Sequence, residues 1–241
     1  MPPAIELLPD RVTAALLGAA AGEALAGAAA GTRQLLDLAE SIAAHGGLDE
    51  ADALGRGLGS PPATGAAGLV LRATACGIAS PLDRPRLRRD AHRSVRLAGG
   101  DEGTAITAIA AAVLAADLCR FDLDLSLVRL RQTLLEEAPL ALHARLVALD
   151  RGTAPLCSGD PGSTLQVAIT ALDRTLTLPE AIEEAAGYGG DITAAVALTG
   201  VLAGARSALE GCDEEWLAAV PARARAEAVS ALLSEPPRAG D

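Results

Sequence analysis

Apolar and polar positions follow the period of a helix over most of the chain. In "RVTAALLGAAAGEALAG", apolar residues recur every three to four positions after Asp10, which we expect to be the N-cap. Gly18 and Gly22 lie one turn apart, so this helix presents a small face on which another helix can pack closely. The pattern predicts a buried helix near the start of the chain.

The same period predicts further helices, several of which end at glycine: "TRQLLDLAESIAAHGG" with Thr32 as N-cap, "LDEADALGRGL", "RPRLRRDAHRSVRLAGG", Glu102–Leu118, Leu125–Glu137, Leu140–Leu149, "TLQVAITALDRT", "LPEAIEEAAGYG" and "DEEWLAAVPARARAEAVSALL". The segment "AAGLVLRATACGIA" fits either a strand or a buried helix, because its period is not decisive. "GSPPATG" is expected to be a loop and residues 234–241 a frayed tail. The sequence predicts an all-α single domain over residues 1–241.

Composition supports a helical core and excludes two kinds of partner. Hydrophobic residues make up 50% of the chain and aromatics only 1%, so Ala, Leu, Val and Ile must build the core. The formal net charge of −11 argues against nucleic-acid binding over a broad surface. The uncharged apolar stretches are shorter than the roughly 20 residues of a membrane span. We therefore expect neither nucleic acid nor a membrane as partner.

Cysteine usage and the first residues bear on location. The four cysteines form no CxxC pair, which indicates buried thiols in a reducing compartment rather than a zinc site or disulfide framework. The first ten residues contain Glu6 and Asp10 and lack a basic and apolar signal pattern. We therefore expect a cytoplasmic protein.

One candidate site lies in "GYGGDITAAVALTGVLAGA", where glycines precede an apolar helix with Asp191 at its start. Asp191 is either the N-cap of that helix or a pocket carboxylate that hydrogen-bonds a ribose hydroxyl. Gly189 and Gly190 either form a helix cap and tight turn or let a diphosphate approach the backbone. Both alternatives remain open at this point.

A second glycine-containing loop, "SGDPGST", offers Ser158, Gly159 and Asp160 for ligand binding. Such a loop could cradle a phosphate, but the Asp160 carboxylate would repel one. Ser163 or Thr164 is alternatively an ordinary helix cap.

The order of seven segments resembles the ADP-ribosylglycohydrolase family, which includes the dinitrogenase reductase-activating glycohydrolases. The resembling segments are "ALLGAAAGEALAGA", "QLLDLAESIAAHGGLD", "GLVLRATACGI", "SVRLAGGDEGTAI", "SGDPGSTLQVAITAL", "AIEEAAGYGGDITAAVALTGVLAGA" and "EEWLAAVPAR". The resemblance implies an orthogonal multi-helix bundle with two central magnesium ions. Carboxylates and threonines of a TDDT and a D-x-D-T motif hold these ions, which help a water to cleave ADP-ribose from its acceptor.

Most positions of those motifs lack the family's ligands in this chain. The family's GGDTDTI motif matches "GGDITAA", which retains Asp191 but places Thr193 at the second Asp. The TDDT motif falls on residues 29–32, where only Thr32 remains. The loop that carries the family's candidate acid is absent. We therefore predict that no metal ion binds and that the magnesium cofactor has been lost.

Three further residues fall on family positions. Glu23 replaces the first-helix Asp and either pairs with Arg72 or another buried Arg, or acts as a catalytic acid. Arg72 is retained, and an Arg inside an apolar run usually binds carboxylates or helix ends. Asp101 is also retained. Glu23, Asp101 and Asp191 are the candidate catalytic carboxylates. Thr32, Arg72 and Thr193 join the loop residues as candidate ligand contacts.

Three functions fit these observations. The first is a family member without dimagnesium hydrolysis, a pseudoenzyme that binds ADP-ribose, a related nucleotide or a protein partner. The second is a metal-independent hydrolase or lyase that uses two carboxylates on a nucleoside-like or glycosidic small molecule. The third is a helical protein-binding scaffold.

Overall fold

The computed structural model describes residues 9–134, 142, 144 and 155–234. These residues form helices and no strand; the only β-type pairing among them is a single isolated bridge. The helices are α1 (Pro9–Leu25), α2 (Ala30–His45), α3 (Glu50–Gly55), α4 (Gly65–Ala79), α5 (Arg84–Leu97), α6 (Glu102–Leu118), α7 (Leu123–Leu134), α8 (Pro161–Arg174), α9 (Leu178–Gly187), α10 (Thr193–Ser207), α11 (Glu214–Ala219) and α12 (Arg223–Ser234). The predicted all-α class is confirmed.

The segment with the ambiguous period is a helix. α4 spans Gly65–Ala79, and every residue from Ala67 to Ile78 is buried. A helix surrounded by other helices shows no polar face, which explains why its sequence has no decisive period.

The centre of the bundle is the contact between α1 and α10. A Cβ placed on Gly18 would lie 2.1 Å from the carbonyl oxygen of Gly200, and one on Gly200 would lie 1.9 Å from that of Gly18. The backbones therefore touch without intervening side chains, as the small face of α1 predicted. Gly22 likewise contacts Val196, so the two helices run antiparallel.

The remaining helices surround this pair. α4 packs on α6 and α2, α5 packs on α6 and α4, and α8 and α9 pack on α10. α12 contacts both α1 and α2. It is joined to α2 by Arg225, which donates hydrogen bonds to Asp37 (2.6 Å) and Glu40 (2.9 Å).

Several predicted boundaries were wrong by a few residues. α1 begins at Pro9, so Asp10 lies in the first turn and is not the N-cap. α2 begins at Ala30 rather than after Thr32, and its preceding residue has no side-chain cap bond. The stretch predicted as one segment at 213–233 is two helices, α11 and α12, separated at Pro221. Pro lacks an amide proton, and its ring interrupts a continuous helix.

Some expectations concern parts of the chain outside the described residues. The predicted helix at Leu140–Leu149 lies almost wholly outside them, as does the tail beyond Ser234. Among the described helices, none is both long and apolar enough to cross a membrane. Cys76, Cys119 and Cys157 are buried free thiols, whereas Cys212 is half-buried.

Candidate functional site

The two glycine-containing loops contact each other. The amide of Asp191 donates to the Cys157 carbonyl (3.2 Å), and the Cys157 thiol donates to the Asp191 carbonyl (2.9 Å). A Cβ placed on Gly159 would lie 2.7 Å from Oδ2 of Asp191, so the absence of a side chain there lets the carboxylate approach. We call residues 157–160 and 189–193 together the loop crossing.

On one side of the crossing, hydroxyls and a carboxylate bond one another. Asp160 is the N-cap of α8, and its Oδ1 accepts from the amide of Ser163 (3.0 Å). The other carboxylate oxygen of Asp160 accepts from the hydroxyl of Ser158, which also lies 3.0 Å from that of Ser163. The expectation that Ser163 or Thr164 caps this helix was wrong, because α8 begins earlier at Pro161.

On the other side, Asp191 does not cap α10. The cap position is Ile192, whose backbone is helical, and no side chain of the described residues bonds the first amides of α10. Asp191 is exposed, and its carboxylate has no hydrogen bond or ion pair among the residues the structure describes. The N-cap interpretation is therefore wrong, because the chain turns at Gly190 and enters the helix one residue later than that role requires. Thr193 is half-buried in the first turn.

The Cys157 thiol, which lies between the two loops, is not activated as a nucleophile. Burial raises the pKa of Cys157, and the carboxylates of Asp191 and Asp160 raise it further. The neutral thiol acts here as a donor that connects the two loops.

The carboxylate of Glu23 binds the backbone amides at the start of α2. Its side chain is 1% exposed, and its two carboxylate oxygens accept from the amides of Gly31 (2.7 Å) and Thr32 (2.6 Å). A carboxylate at a helix N-terminus binds unpaired amides and interacts favourably with the helix dipole. The expected pairing of Glu23 with Arg72 was wrong, since backbone amides take that place.

Arg72 binds carbonyl groups instead of a carboxylate. Its guanidinium donates to the carbonyls of Leu58 (2.9 Å) and Ser94 (2.5 Å) and to the side chain of Gln34 (3.1 Å). Burial lowers the pKa of Arg72 to about 10. Arg72 thus joins the loop before α4 to α2 and α5. Its guanidinium is enclosed by the protein at the position where we expected a ligand contact.

Thr32 and Asp101 also have structural partners. The Thr32 hydroxyl donates to the Ala19 carbonyl (3.1 Å). Asp101 caps α6 by accepting from the amide of Thr104 (2.7 Å), and this bond lowers the pKa of Asp101.

Contacts between neighbours place these helix starts at one end of the bundle. Gly22 faces Val196, so the end of α1 with Glu23 lies beside the start of α10. The start of α2 contacts Leu71 of α4. Gly100, which precedes α6, contacts Leu69, which also lies in α4. The loop crossing adjoins the first turn of α10.

Two participants were not identified from the sequence, and a third, Ser163, was considered there only as a candidate helix cap. Gln34 and Ser94 bind Arg72, and Ser163 completes the hydroxyl network. The first two come from helices far from Arg72 in sequence, so no local spacing indicates them. Ser163 carried a local signal, since a serine three residues after an aspartate is a common capping partner.

The residues at this end do not fit two magnesium ions. Magnesium requires near-octahedral oxygen ligands. Residues 29–31 offer no side-chain oxygen, and the oxygens of Thr32 and Glu23 already bond the backbone. Asp191 has a carboxylate without a partner among the described residues. The described part of the chain contains no group of three or more His, Cys, Asp or Glu arranged to hold a metal.

The structure defines the class of protein as an all-helical bundle whose candidate residues lie at the starts of its helices. Comparison with known proteins gives the family. The model of the ADP-ribosylglycohydrolase family matches residues 30–240, so the chain belongs to this family. A solved structure described as "ADP-ribosylglycohydrolase-related protein complex" has the same fold, with a TM-score of 0.80. Its sequence is 24% identical, and the match covers 93% of this chain and 97% of that one. No curated protein matches the sequence.

Proposed function

We propose that this family member binds ADP-ribose or a related nucleotide at the loop crossing and does not hydrolyse it with two magnesium ions. The observation that carries the proposal is the bonding of Glu23: both of its oxygens accept from α2 amides, at the end where family members hold their metals. Each of these two hydrogen bonds occupies a lone pair of the carboxylate, which leaves Glu23 fewer positions for a metal ion.

The loop crossing offers groups suited to the sugar and diphosphate of such a ligand. Asp191 is exposed and has no partner in the described part of the chain, so its carboxylate can accept a bond from a ribose hydroxyl. Gly189 and Gly190 both have positive φ and are exposed, which leaves their backbone accessible to a diphosphate. The first amides of α10 have no side-chain acceptor within the described part of the chain and can donate to an anion.

Thermal denaturation with ADP-ribose tests this proposal. We expect ADP-ribose to raise the melting temperature equally in magnesium and in EDTA, because a bound ligand stabilises the folded state. Asp191→Ala should reduce that shift. Glu183→Gln is the matched control, since Glu183 is an exposed carboxylate on α9 outside the loop crossing. Magnesium-dependent release of ADP-ribose from a modified Arg or Ser peptide would contradict the proposal.

A second candidate is metal-independent cleavage of a nucleoside-like or glycosidic molecule. It is favoured by the two carboxylates, Asp160 and Asp191, that flank Gly159 and both raise the pKa of Cys157. Two nearby carboxylates can supply the acid and base of glycosidic cleavage. Release of a free base from nucleosides in EDTA, abolished by Asp160→Asn and by Asp191→Asn separately, would support this activity over simple binding.

We also propose a cytoplasmic location and a protein partner. The buried free cysteines support a reducing compartment. The solved neighbour is described as part of a protein complex, which supports a partner for this chain too. Fractionation of cells that express a tagged protein, followed by size analysis of the soluble fraction, tests both statements.

A further inference from the structure

A small cavity lies where α1, α2 and the segment before α12 meet. Its volume is about 250 Å³. Aliphatic side chains form most of its wall: Ala20, Ala28, Ala29, Leu36, Pro221 and Ala222. No aromatic side chain lines it, so the cavity has no platform on which a nucleobase could stack.

This cavity is separate from the loop crossing. Gly18 and Gly22 mark the face of α1 that packs on α10. Ala20 lies two residues from each, about 200° around the helix, so it faces away from α10. The wall that Ala20 forms therefore lies on the face of α1 opposite α10. None of the described residues that line the cavity belongs to the loop crossing, although Thr32 at the start of α2 also lines it.

One cation beside the cavity has no counter-ion. The Arg33 side chain is exposed and forms no ion pair or hydrogen bond with any described residue. Arg225, the other arginine at the cavity, already bonds Asp37 and Glu40 and thereby holds α12 against α2. An anion that enters the cavity would therefore meet Arg33 as its available partner.

The backbone of the cavity wall is also unusual. Ala222 has φ of 55°, in the left-handed region that a residue with a Cβ seldom adopts. Such conformations persist where the surrounding structure imposes them, and they occur often at ligand sites. Pro221 and Ala222 form this wall between α11 and α12.

We propose that the cavity binds a short aliphatic carboxylate, with its chain against the alanines and its head group at Arg33. At roughly 30 Å³ for each water-sized group, the volume admits about eight non-hydrogen atoms, the size of hexanoate. The apolar wall excludes water from the chain, and the guanidinium binds the carboxylate through directed N–H groups. This site goes beyond the proposed nucleotide function and does not depend on it.

Titration calorimetry with hexanoate on the full chain tests the proposal. We expect saturable binding at about 1 mM or below, and binding at least tenfold weaker for hexanol, which has the same chain without the charge. Arg33→Ala should weaken hexanoate binding at least tenfold. Arg96→Ala, the removal of another exposed arginine on the distant helix α5, should leave it unchanged.

A second variant tests the cavity itself. Ala29→Leu would fill part of the space at an exposed position, so the fold should persist, as circular dichroism can verify. We expect a tenfold or greater loss of hexanoate binding and an unchanged thermal shift with ADP-ribose. Absence of hexanoate binding to the unmodified chain, equal binding of hexanol, or unchanged binding in Arg33→Ala or Ala29→Leu would overturn the proposal.

Discussion

The starts of α2 and α10 lie at the same end of the bundle, but they differ in what accepts hydrogen bonds from their first backbone amides. At α2, the buried carboxylate of Glu23 accepts from two backbone amides. At α10, no side chain in the described ranges accepts from the first amides, and the nearby carboxylate of Asp191 is exposed. One helix start therefore has an acceptor from the protein itself, and the other relies on solvent or a ligand.

This difference indicates that Glu23 serves mainly the stability of the fold and Asp191 mainly ligand binding. Buried amides without an acceptor cost free energy, so a carboxylate that binds them contributes to folding in the absence of any ligand. The carboxylate of Asp191 contributes little to folding because it is exposed and bonds no described residue. The comparison predicts that removing Glu23 unfolds the protein more readily than removing Asp191, and that Asp191 matters chiefly for binding.

The largest expected effect comes from Glu23→Ala. It leaves two buried amides without an acceptor, and we expect a loss of about 3 to 5 kcal/mol in the free energy of unfolding, measured by urea denaturation. Asp191→Ala should change the same quantity by less than about 0.5 kcal/mol. Similar losses for the two variants would remove the distinction between the helix starts.

The loop crossing itself can be altered at its two adjacent glycines. Both have positive φ, but a Cβ on Gly190 would lie 2.1 Å from the Cys157 carbonyl oxygen, whereas one on Gly189 meets nothing within 4 Å. Gly190→Ala should therefore cost about 2 to 3 kcal/mol, and Gly189→Ala only the left-handed penalty of about 1 kcal/mol. Equal losses in thermal and urea denaturation would show that the loops do not cross at this point.

At the start of α8, which Asp160 caps, we expect a stability loss of intermediate size. Asp160 caps α8 through the Ser163 amide, so Asp160→Ala should lower stability by about 1 kcal/mol. Asp160→Asn should retain most of that stability, because Asn is an equally good N-cap. If Asp160→Ala is as neutral as we expect of Asp191→Ala, the side-chain cap of α8 adds no stability in solution and the start of α8 does not differ from the uncapped start of α10.

The smallest expected effect is a dependence on pH at the start of α6. The Thr104 amide lowers the pKa of Asp101, so the folded state binds the Asp101 proton less readily than the unfolded state. The contribution of Asp101 to stability is therefore complete above its unfolded pKa and is lost as the pH falls through its lower folded pKa. The stability difference between the protein and Asp101→Ala, measured at several pH values, should narrow on acidification. A constant difference would contradict this.

Local patterns in the sequence predicted the helices well because helix formation depends on neighbours three or four residues apart. The apolar helix Glu102–Leu118 was predicted with the bounds that the structure shows. The small face of Gly18 and Gly22 also indicated close packing, although the sequence did not name α10 as the partner.

The candidate site was less predictable because its bonds join distant residues. Glu23 reaches the start of α2 across a turn, and Arg72 binds carbonyls from two other segments. Neither partner is fixed by a periodic pattern. The sequence left two roles open for Asp191, because its position before an apolar helix is typical of caps, and only the turn at Gly190 in the structure shows where that helix begins.

The packing of α1 on α10 also constrains when the native topology can form during synthesis. Most of the chain separates Gly18 from Gly200. During synthesis, α1 therefore cannot pack on α10 until α10 has been made. Meanwhile α4, α5 and α6, which are consecutive and contact one another, are made together and can associate early. The bundle is therefore expected to assemble around these central helices and to be completed only after translation has passed Ser207.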